Sequence, residues 1–363
     1  MLRVEALPAR MGDCLVIEYG TDAQRHYVVI DGGTARTADN LVARLGALGA
    51  VEIELLVVSH IDNDHIAGVL DFLERPELPL PVGEVWFNGF RHLPESPVES
   101  LGPVQGERLT TRLTEPDLRD RWNAAFGGRA VGASPDGPLP IKTLPGGMEV
   151  TVLAPGPAAL AALRPIWKDI VKEGNLDPQA LKDEVIDLPP NIEQLGAFVP
   201  PDVPVLAAEE FEAEAKPANG SSIVLLAEFD DKKLLLTGDG QPAMIVPAID
   251  RLVGSGNTLE VDLFQSPHHG SKGNLNVDLA SRVRAPNILF SSNGPKGYQH
   301  PNREAVARIL LHGGPQPKKL HFNYRHMYND PWDHDGAADL RATYNYQALY
   351  PAVGEDGIAI DGL

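Results

Sequence analysis

The clearest chemical signal is a group of metal-ligand side chains directly after the apolar run at residues 54–58. Two imidazoles and two carboxylates fall within six residues there: His60, Asp62, Asp64 and His65. The spacing predicts that His60, Asp62 and Asp64 alternate along an extended loop, and that His65 turns inward where a helix begins. Histidine and carboxylate side chains at the end of a strand can surround a pair of metal ions. We therefore interpret this segment as the first part of a dinuclear metal site.

Three later segments supply side chains that the first one lacks. Asp239 comes just after an apolar strand, where its carboxylate could bridge two cations. His268 and His269 end another strand, and His300 lies in a polar loop that follows the next one. Each segment alone is a weak signal, because Gly-Asp turns and surface histidines are common. Their joint occurrence after successive strands indicates one assembled site.

Hydrophobic periodicity predicts the elements that must position these side chains. Strands are predicted over residues 14–19, 26–30, 54–59, 84–87, 149–153, 222–229, 233–237, 261–265, 287–291, 319–322 and 357–360. Helices are predicted over residues 38–48, 66–74, 241–253 and 303–311. Strands dominate both halves, and helices separate only some of them. This pattern predicts an α/β architecture with two sheets packed face to face and helices outside.

Two segments interrupt this pattern within one predicted domain of residues 1–363. Residues 91–145 are rich in proline, glycine and charge, and residues 156–218 begin with a helical patch and then become acidic. Long loops inside compact domains are usually functional or disordered. Two interpretations stay open for these insertions: solvated excursions, or a lid over the site.

Composition excludes several classes of protein. The chain has 31 Lys+Arg against 50 Asp+Glu, a net charge of −19, which opposes non-specific attraction to nucleic acid or anionic membrane. The single cysteine, Cys14, excludes an intrachain disulfide framework and a cysteine-rich zinc module. Neither a signal peptide nor an apolar run of membrane-spanning length is found. We expect a cytoplasmic protein without a membrane partner.

Taken in order, the motifs resemble those of the metallo-β-lactamase-fold hydrolases. The resemblance rests on residues 11–14, 29–33, 60–65, 219–222, 238–239, 268–271 and 298–301. Within that family the chain is similar to the soluble domain of the ComEC-type DNA-uptake proteins, whose relatives include phosphodiesterases. The resemblance implies an αββα sandwich of two mixed sheets with a dinuclear site along one sheet edge.

The resemblance also implies a set of metal ligands. His60 and Asp62 would hold one ion, Asp64 and His65 the other, and Asp239 would bridge them. One of His268 and His269 would complete the second ion's ligands; the motif favours His269 and leaves His268 open.

The chain departs from the family's commonest pattern at two positions. Asp62, and Asn219 or the adjacent serines, stand where many members have histidine. Because oxygen ligands favour harder ions, we expect two divalent ions, Zn²⁺ or Mn²⁺, with Mg²⁺ as an alternative.

The expected chemistry is hydrolysis of a phosphodiester by a metal-activated hydroxide. Asp64 and Asp239 would orient the hydroxide, and His300, or the histidine of the pair that is not a ligand, would contact the phosphate or protonate the leaving group. The predicted substrate-binding residues are Asn219, Ser222, Ser271, Lys272, Asn293 and His300.

Residues 296–326 form a local basic stretch that could follow a nucleic-acid backbone, with Tyr324, Tyr328 and Trp332 as stacking candidates, or could be ordinary surface. The leading hypothesis is a DNA nuclease, held inactive by the acidic insertion until a regulatory partner or protease acts on it. The alternatives are a phosphodiesterase for a small substrate, such as phosphocholine or cyclic-nucleotide diesters, and a non-catalytic regulatory module. A β-lactamase or thioesterase is disfavoured by Asp62 and Asn219.

Overall fold

The computed structural model describes residues 1–35, 37–94, 107–173 and 198–363. The strands are β1 Leu2–Ala6, β2 Leu15–Thr21, β3 Gln24–Ile30, β4 Ile53–Val57, β5 Val82–Trp86, β6 Ile141–Thr143, β7 Glu149–Ala154, β8 Val224–Phe229, β9 Lys232–Leu236, β10 Leu259–Glu260, β11 Leu263–Gln265, β12 Val283–Arg284, β13 Asn287–Phe290, β14 Lys318–Phe322, β15 Tyr346–Leu349 and β16 Ile358–Asp361. The helices are α1 Ala38–Leu48, α2 Asn63–Leu73, α3 Arg108–Leu113, α4 Pro157–Leu163, α5 Trp167–Glu173, α6 Val203–Ala207, α7 Pro217–Gly220, α8 Pro242–Val253, α9 Val277–Arg282, α10 Arg303–His312 and α11 Ala338–Tyr344.

The strands form two large mixed sheets and one small parallel pair, β10 with β12. The first sheet has the order β16-β1-β2-β3-β4-β5, and the second has the order β15-β14-β13-β11-β9-β8-β7-β6. In the first sheet β3, β4 and β5 run parallel. In the second, β9, β11, β13, β14 and β15 run parallel. The predicted α/β fold with two mixed sheets and flanking helices, an αββα sandwich, is confirmed.

Alternation along the strands explains the layering. In β3, Val28 and Ile30 belong to the core between the two sheets, whereas Tyr27 and Val29 face the helical layer of α1 and α2. Strands that are buried on both faces have continuous apolar sequences, and neighbouring side chains point to opposite faces. A separate core joins the outer face of the second sheet to α8, α9 and α10.

The N-terminal residues predict β1, and the four strands that the sequence did not predict, β6, β10, β12 and β15, have two to four residues each. β6, at the edge of the second sheet, has an exposed, half-buried, exposed pattern and forms through backbone pairing with β7. β15 forms the other edge by pairing with β14. Such edge strands form through their neighbours' backbone groups, so their own sequences carry little periodicity.

The first insertion is only partly described, because residues 95–106 lie outside the described residues. Its described part packs against the first sheet. The Trp122 indole donates to the Phe87 carbonyl at 2.9 Å, and the Asn123 amide donates to the Val85 carbonyl at 2.8 Å. The buried apolar residues of this part include Leu109, Leu113, Leu118 and Trp122. The interpretation of this part as a solvated excursion is therefore wrong: proline- and glycine-rich composition concealed a contribution to the core.

In the second insertion, residues 174–197 lie outside the described residues. The described remainder includes α4, α5, α6 and α7, of which α6 buries Val203 and Ala207 in the core of the second sheet. No helix in the described part of the chain combines the length and apolar character that crossing a bilayer requires.

The loop between β1 and β2 contacts residues in or just after strands of the second sheet that are remote in sequence. The Arg10 amide donates to the Tyr324 hydroxyl at 2.8 Å, and the Asn323 side-chain amide donates to the Leu7 carbonyl at 3.2 Å. The Gln265 amide donates to Asp13 Oδ2 at 2.8 Å. These contacts join residues that are 314, 316 and 252 positions apart. The loop is thus held against the second sheet.

Helix α2 and the loop after β3 approach each other so closely that glycine is required. The Gly32 amide donates to the His65 carbonyl at 2.8 Å, and the Gly68 amide donates to the Gly33 carbonyl at 3.0 Å. A Cβ added to Gly68 would lie 1.9 Å from the Gly32 carbonyl oxygen. This backbone contact fixes the start of α2 relative to β3.

We expect Gly68→Ala to reduce the free energy of unfolding by about 1–3 kcal/mol or more, because the added methyl group must separate α2 from the β3 loop. Gly46→Ala in α1 is the matched control. A Cβ there meets nothing within 4 Å, and alanine should stabilise a helix interior by about 0.5–1 kcal/mol. Denaturant unfolding of both variants measures the difference. Equal stability of the two would contradict the close approach.

Candidate metal centre

The buried Asp239 carboxylate lies among four imidazoles. Its Oδ2 atom is 3.6 Å from His60 Nε2 and 3.4 Å from His268 Nε2. Its Oδ1 atom is 3.3 Å from His65 Nε2 and 3.7 Å from His269 Nε2. The centre therefore has two halves: the first half contains His60 and His268, the second half contains His65 and His269, and Asp239 faces both.

Each half has a further carboxylate. Asp62 Oδ2 lies 3.7 Å from His60 Nε2 in the first half, and Asp64 Oδ2 lies 3.4 Å from His269 Nε2 in the second. About a quarter of each acidic side chain is exposed. The structure thus brings together all seven metal-ligand candidates: His60, Asp62, Asp64, His65, Asp239, His268 and His269.

The start of α2 differs from the prediction in one respect. Asp62 is extended (φ −65°, ψ 144°) and precedes the helix, but Asp64 already lies in its first turn. The prediction of an extended conformation for Asp64 was therefore wrong, because the helix begins at Asn63. Aspartate at this position usually caps the helix with its side chain. Here the Asp62 side chain makes no capping hydrogen bond, so its carboxylate is available at the centre.

The two adjacent histidines both point into the centre, whereas the sequence favoured His269 as the ligand and left His268 open. His268 and His269 have left-handed backbone conformations, with φ values of 50° and 56°. Non-glycine residues in this region cost on the order of 1–3 kcal/mol each and persist only where their surroundings impose them. The strained turn places one imidazole in each half.

The imidazoles are oriented by hydrogen bonds to their other ring nitrogen. His65 Nδ1 lies 2.8 Å from Asp31 Oδ2, and Asp31 also accepts hydrogen bonds from the Ser59 amide and hydroxyl, both at 2.7 Å. His60 Nδ1 lies 3.0 Å from the Ser59 hydroxyl. A carboxylate at Nδ1 holds the proton there and leaves Nε2 free to bind a metal.

Asp13 belongs to the second half, although the sequence analysis did not assign it to the site. One ligand atom from each of Asp13, His65, Asp239 and His269 lies within 4.8 Å of the others. The loop that carries Asp13 packs on α2, since a Cβ on Gly12 would lie 1.6 Å from the Asp64 carbonyl oxygen. The signal was present in the motif at residues 11–14, but Asp13 is remote in sequence from every histidine of the site.

Asn219 contacts one of the histidines of the first half. Its side-chain nitrogen lies 3.1 Å from His268 Nδ1, on the side of that ring away from the centre. The side-chain oxygen of Asn219 is buried without a hydrogen-bond partner, and its role as an oxygen ligand stays a prediction. His268 faces the first half, so that each half has two imidazoles.

The other predicted substrate-binding residues, apart from His300, are not among the residues that line the cavity described below. Lys272 pairs with Glu304 at 2.9 Å, and the Ser271 hydroxyl accepts from the Gly273 amide at 3.2 Å. Ser222 and Asn293 each have a buried side-chain oxygen without a hydrogen-bond partner. Contact of these residues with substrate stays a prediction.

The residues present fit divalent metal ions. The buried atoms at the centre that lack a hydrogen-bond partner include His60 Nε2, His65 Nε2, His269 Nε2 and Asp239 Oδ1. Buried polar atoms are nearly always paired, so unpaired nitrogen and oxygen atoms that face one another are typical of a metal site. Mixed imidazole and carboxylate ligands suit Zn²⁺, Mn²⁺ and Fe²⁺.

Charge compensation at the centre shifts several pKa values. Burial alone would raise the pKa of Asp239, but His268, His65 and the other imidazoles hold it well below its ordinary value. Burial opposes protonation of His65 and His269, yet the surrounding carboxylates outweigh it and hold both pKa values well above 6.5. Without metal, protons on these imidazoles balance the buried carboxylate.

The centre opens into a cavity of about 170 Å³. His300 lines it, with its ring centroid 5.1 Å from that of His268. Burial and the neighbouring imidazoles hold the pKa of His300 well below its ordinary value. Lys216 is the one lysine or arginine among the described residues that line the cavity. The remaining lining residues are Met11, Thr34, Asp62, Asn63, Asp64, Asp239, His268, His269, Pro295 and Tyr298.

We expect the metal-free protein to lose stability as the pH rises above 6.5. A histidine whose pKa is raised on folding contributes its full stabilisation below the pKa that it has in the unfolded chain, near 6.5. That stabilisation is lost as the pH rises through the pKa that the histidine has in the folded protein. Metal should raise the melting temperature most at alkaline pH, because ions then replace the lost protons. Thermal unfolding on both sides of pH 6.5, with and without Zn²⁺ or Mn²⁺, measures this. Metal-free protein that becomes more stable as the pH rises would contradict the assignment.

Comparison with solved structures finds weak likenesses. The CmlA beta-hydroxylase, described as a diiron enzyme from Streptomyces venezuelae, is 15% identical with a TM-score of 0.36, and a CmlA mutant is 13% identical with a TM-score of 0.39. The matches cover 98% of this chain but only 54% and 53% of those chains, so the chain spans about half their length. Likenesses at this level carry no argument about metal or reaction. No curated protein sequence matches the chain.

The model of the metallo-beta-lactamase superfamily matches residues 7–287, which include β2 through β12 and every ligand candidate of both halves. Together with the two mixed sheets and flanking helices, this match shows that the chain belongs to the metallo-beta-lactamase superfamily.

Proposed function

We propose that the protein is a phosphodiester hydrolase that uses a dinuclear metal centre. The observation that carries the proposal is the position of Asp239 between two pairs of imidazoles, each with a further carboxylate. His60, His268 and Asp62 would hold one ion, and His65, His269 and Asp64 the other. When bound, two such ions lower the pKa of a bound water and neutralise phosphate oxygens.

The cavity supplies groups for an anionic substrate. Lys216 offers a positive charge opposite the ligand carboxylates, and its pKa is raised because Glu214, Asp62 and Tyr298 outweigh the effect of burial. His300 is neutral near pH 7 and can donate an N–H hydrogen bond to a phosphate oxygen. Its low pKa favours this contact over protonation of the leaving group.

The described surface favours a small diester over a long bound strand. Within the basic stretch at 296–326, Arg308 and Lys318 are buried, and Arg325 pairs with Asp330 at 2.8 Å and with Asp333 at 3.1 Å. Trp332 is fully buried, so it cannot stack on a base. Of the six lysines and arginines in this stretch, Lys296, Arg303 and Lys319 remain to contact a bound strand.

The similarity to ComEC-type domains supports the alternative, a nuclease on DNA in the cytoplasm. That function would need its basic contacts elsewhere, or would act on one nucleotide at a time. A regulatory partner or protease that acts on the acidic insertion belongs to the same alternative, and residues 174–197 of that insertion lie outside the described residues.

We expect metal-stripped protein to regain hydrolysis of bis-p-nitrophenyl phosphate when Mn²⁺, Zn²⁺, Fe²⁺ or Mg²⁺ is added. Asp64→Ala should lower kcat more than about 100-fold, since even partners of metal ligands contribute 10–100-fold. Asp136→Ala, at an exposed turn, is the control. Single- and double-stranded DNA and RNA, assayed in parallel, distinguish the nuclease from the small-substrate enzyme. Inactivity on every diester with both ions bound would contradict the proposal.

Lys216→Met should raise KM for the same diester about tenfold with a smaller change in kcat, because a charge-assisted contact to the substrate is lost. Lys232→Met is a matched control. Lys232 pairs with Asp262 at 3.0 Å and is 41% exposed, whereas Lys216 pairs with Glu214 at 3.2 Å and is 54% exposed. An unchanged KM for Lys216→Met would show that Lys216 does not contact the substrate.

A further inference from the structure

The end of the acidic insertion packs directly behind the metal centre. We name residues 209–216 the strap. The Glu214 amide donates to the Gly273 carbonyl at 3.1 Å, and the buried Arg308 donates to the Glu209 carbonyl at 3.0 Å. The Arg308 guanidinium also lies over the Phe211 ring, 5.6 Å from its centroid. An arginine of the basic stretch thus holds the acidic insertion in place.

The strap brings one carboxylate to the outer side of His268. Glu214 Oε2 lies 2.6 Å from His268 Nδ1, and Asn274 Oδ1 lies 3.0 Å from the same atom. These two oxygen acceptors, one of them a carboxylate at 2.6 Å, outweigh the Asn219 amide nitrogen at 3.1 Å and favour a proton on this nitrogen. His268 Nε2 then presents a lone pair towards the first half of the centre, 3.4 Å from Asp239 Oδ2.

The two halves differ in the carboxylates that lie at the outer nitrogen, Nδ1, of their histidines. In the second half, His65 has Asp31 at Nδ1 and His269 has Asp13 Oδ1 at 3.5 Å from Nδ1. In the first half, His60 has only the neutral Ser59 hydroxyl. Glu214 is therefore the one carboxylate that orients a histidine of the first half among the described residues.

We propose that Glu214 is a positioning residue for His268, and that the strap is a structural part of the first metal site. The inference rests on the metal centre of the proposed function, but not on the identity of the substrate. If the strap were only a cover, its removal would leave both metal sites intact. We infer instead that an intact strap is required for the centre to bind both metal ions.

The test is metal binding by the full chain, measured by calorimetric titration of metal-stripped protein with Zn²⁺ and Mn²⁺. Glu214→Ala should weaken one of two binding events about 10–100-fold and leave the other unchanged, as expected for loss of an outer partner of a ligand. Glu214→Gln keeps an acceptor oxygen and should recover part of the affinity. Glu212→Ala removes the same charge two residues away, at an exposed position, and should bind as the unmodified protein does.

Cobalt(II) absorption provides a readout that a general loss of stability would not reproduce. Glu214→Ala should lose the spectral contribution of one site at a metal concentration that fills both sites of the unmodified protein, while circular dichroism stays unchanged. Two unaffected binding events in a folded Glu214→Ala protein, or equal weakening of both, would overturn the inference. Because metal is measured directly, a chain that binds two ions normally yet hydrolyses no diester would contradict the proposed function alone.

Discussion

A buried carboxylate needs compensating positive charge, and the centre of this molecule must supply that charge around Asp239. At 1% exposure, an isolated carboxylate would cost several kcal/mol relative to water. Four imidazoles meet the requirement, two at each carboxylate oxygen. They can do so with metal ions between them and the carboxylate or, at His65, His268 and His269, whose pKa values the neighbouring carboxylates raise, with protons. The same geometry therefore explains both the shifted pKa values of the metal-free protein and its suitability for two cations.

The fold meets this requirement by ending several strands at one place. β3, β4, β9 and β11 are followed by Asp31, the His60–His65 segment, Asp239 and the His268–His269 pair, respectively. The first two strands belong to one sheet and the last two to the other. The Gly32–Gly68 contact and the left-handed turn at the histidine pair supply the local geometry that regular strands cannot.

The ligand candidates were predictable where they are contiguous in sequence, whereas the remote residues that orient them were not. His60, Asp62, Asp64 and His65 stand out because no ordinary loop needs four such side chains in six residues. Glu214 is one acid among many in an acidic segment, and only the packing of the strap on residue 273 gives it a role. Arg308 shows the opposite error: a basic residue in a basic stretch suggested nucleic acid, yet it is 1% exposed and bonded to backbone carbonyls. The fold was easier to predict than the site, because hydrophobic periodicity is a local property of the sequence, whereas hydrogen-bond partners can be remote in it.

The contacts that hold the β1–β2 loop against the second sheet have a consequence for the order of folding. They join residues 252 to 316 positions apart, and closing such long loops costs entropy before any contact compensates. Contacts between remote residues also form slowly. The His60–His65 segment is made early in synthesis, whereas its partners at 239, 268 and 269 follow much later. Until those partners are made, the proposed ligand set is incomplete, so binding of the proposed metal ions would follow closure of the chain.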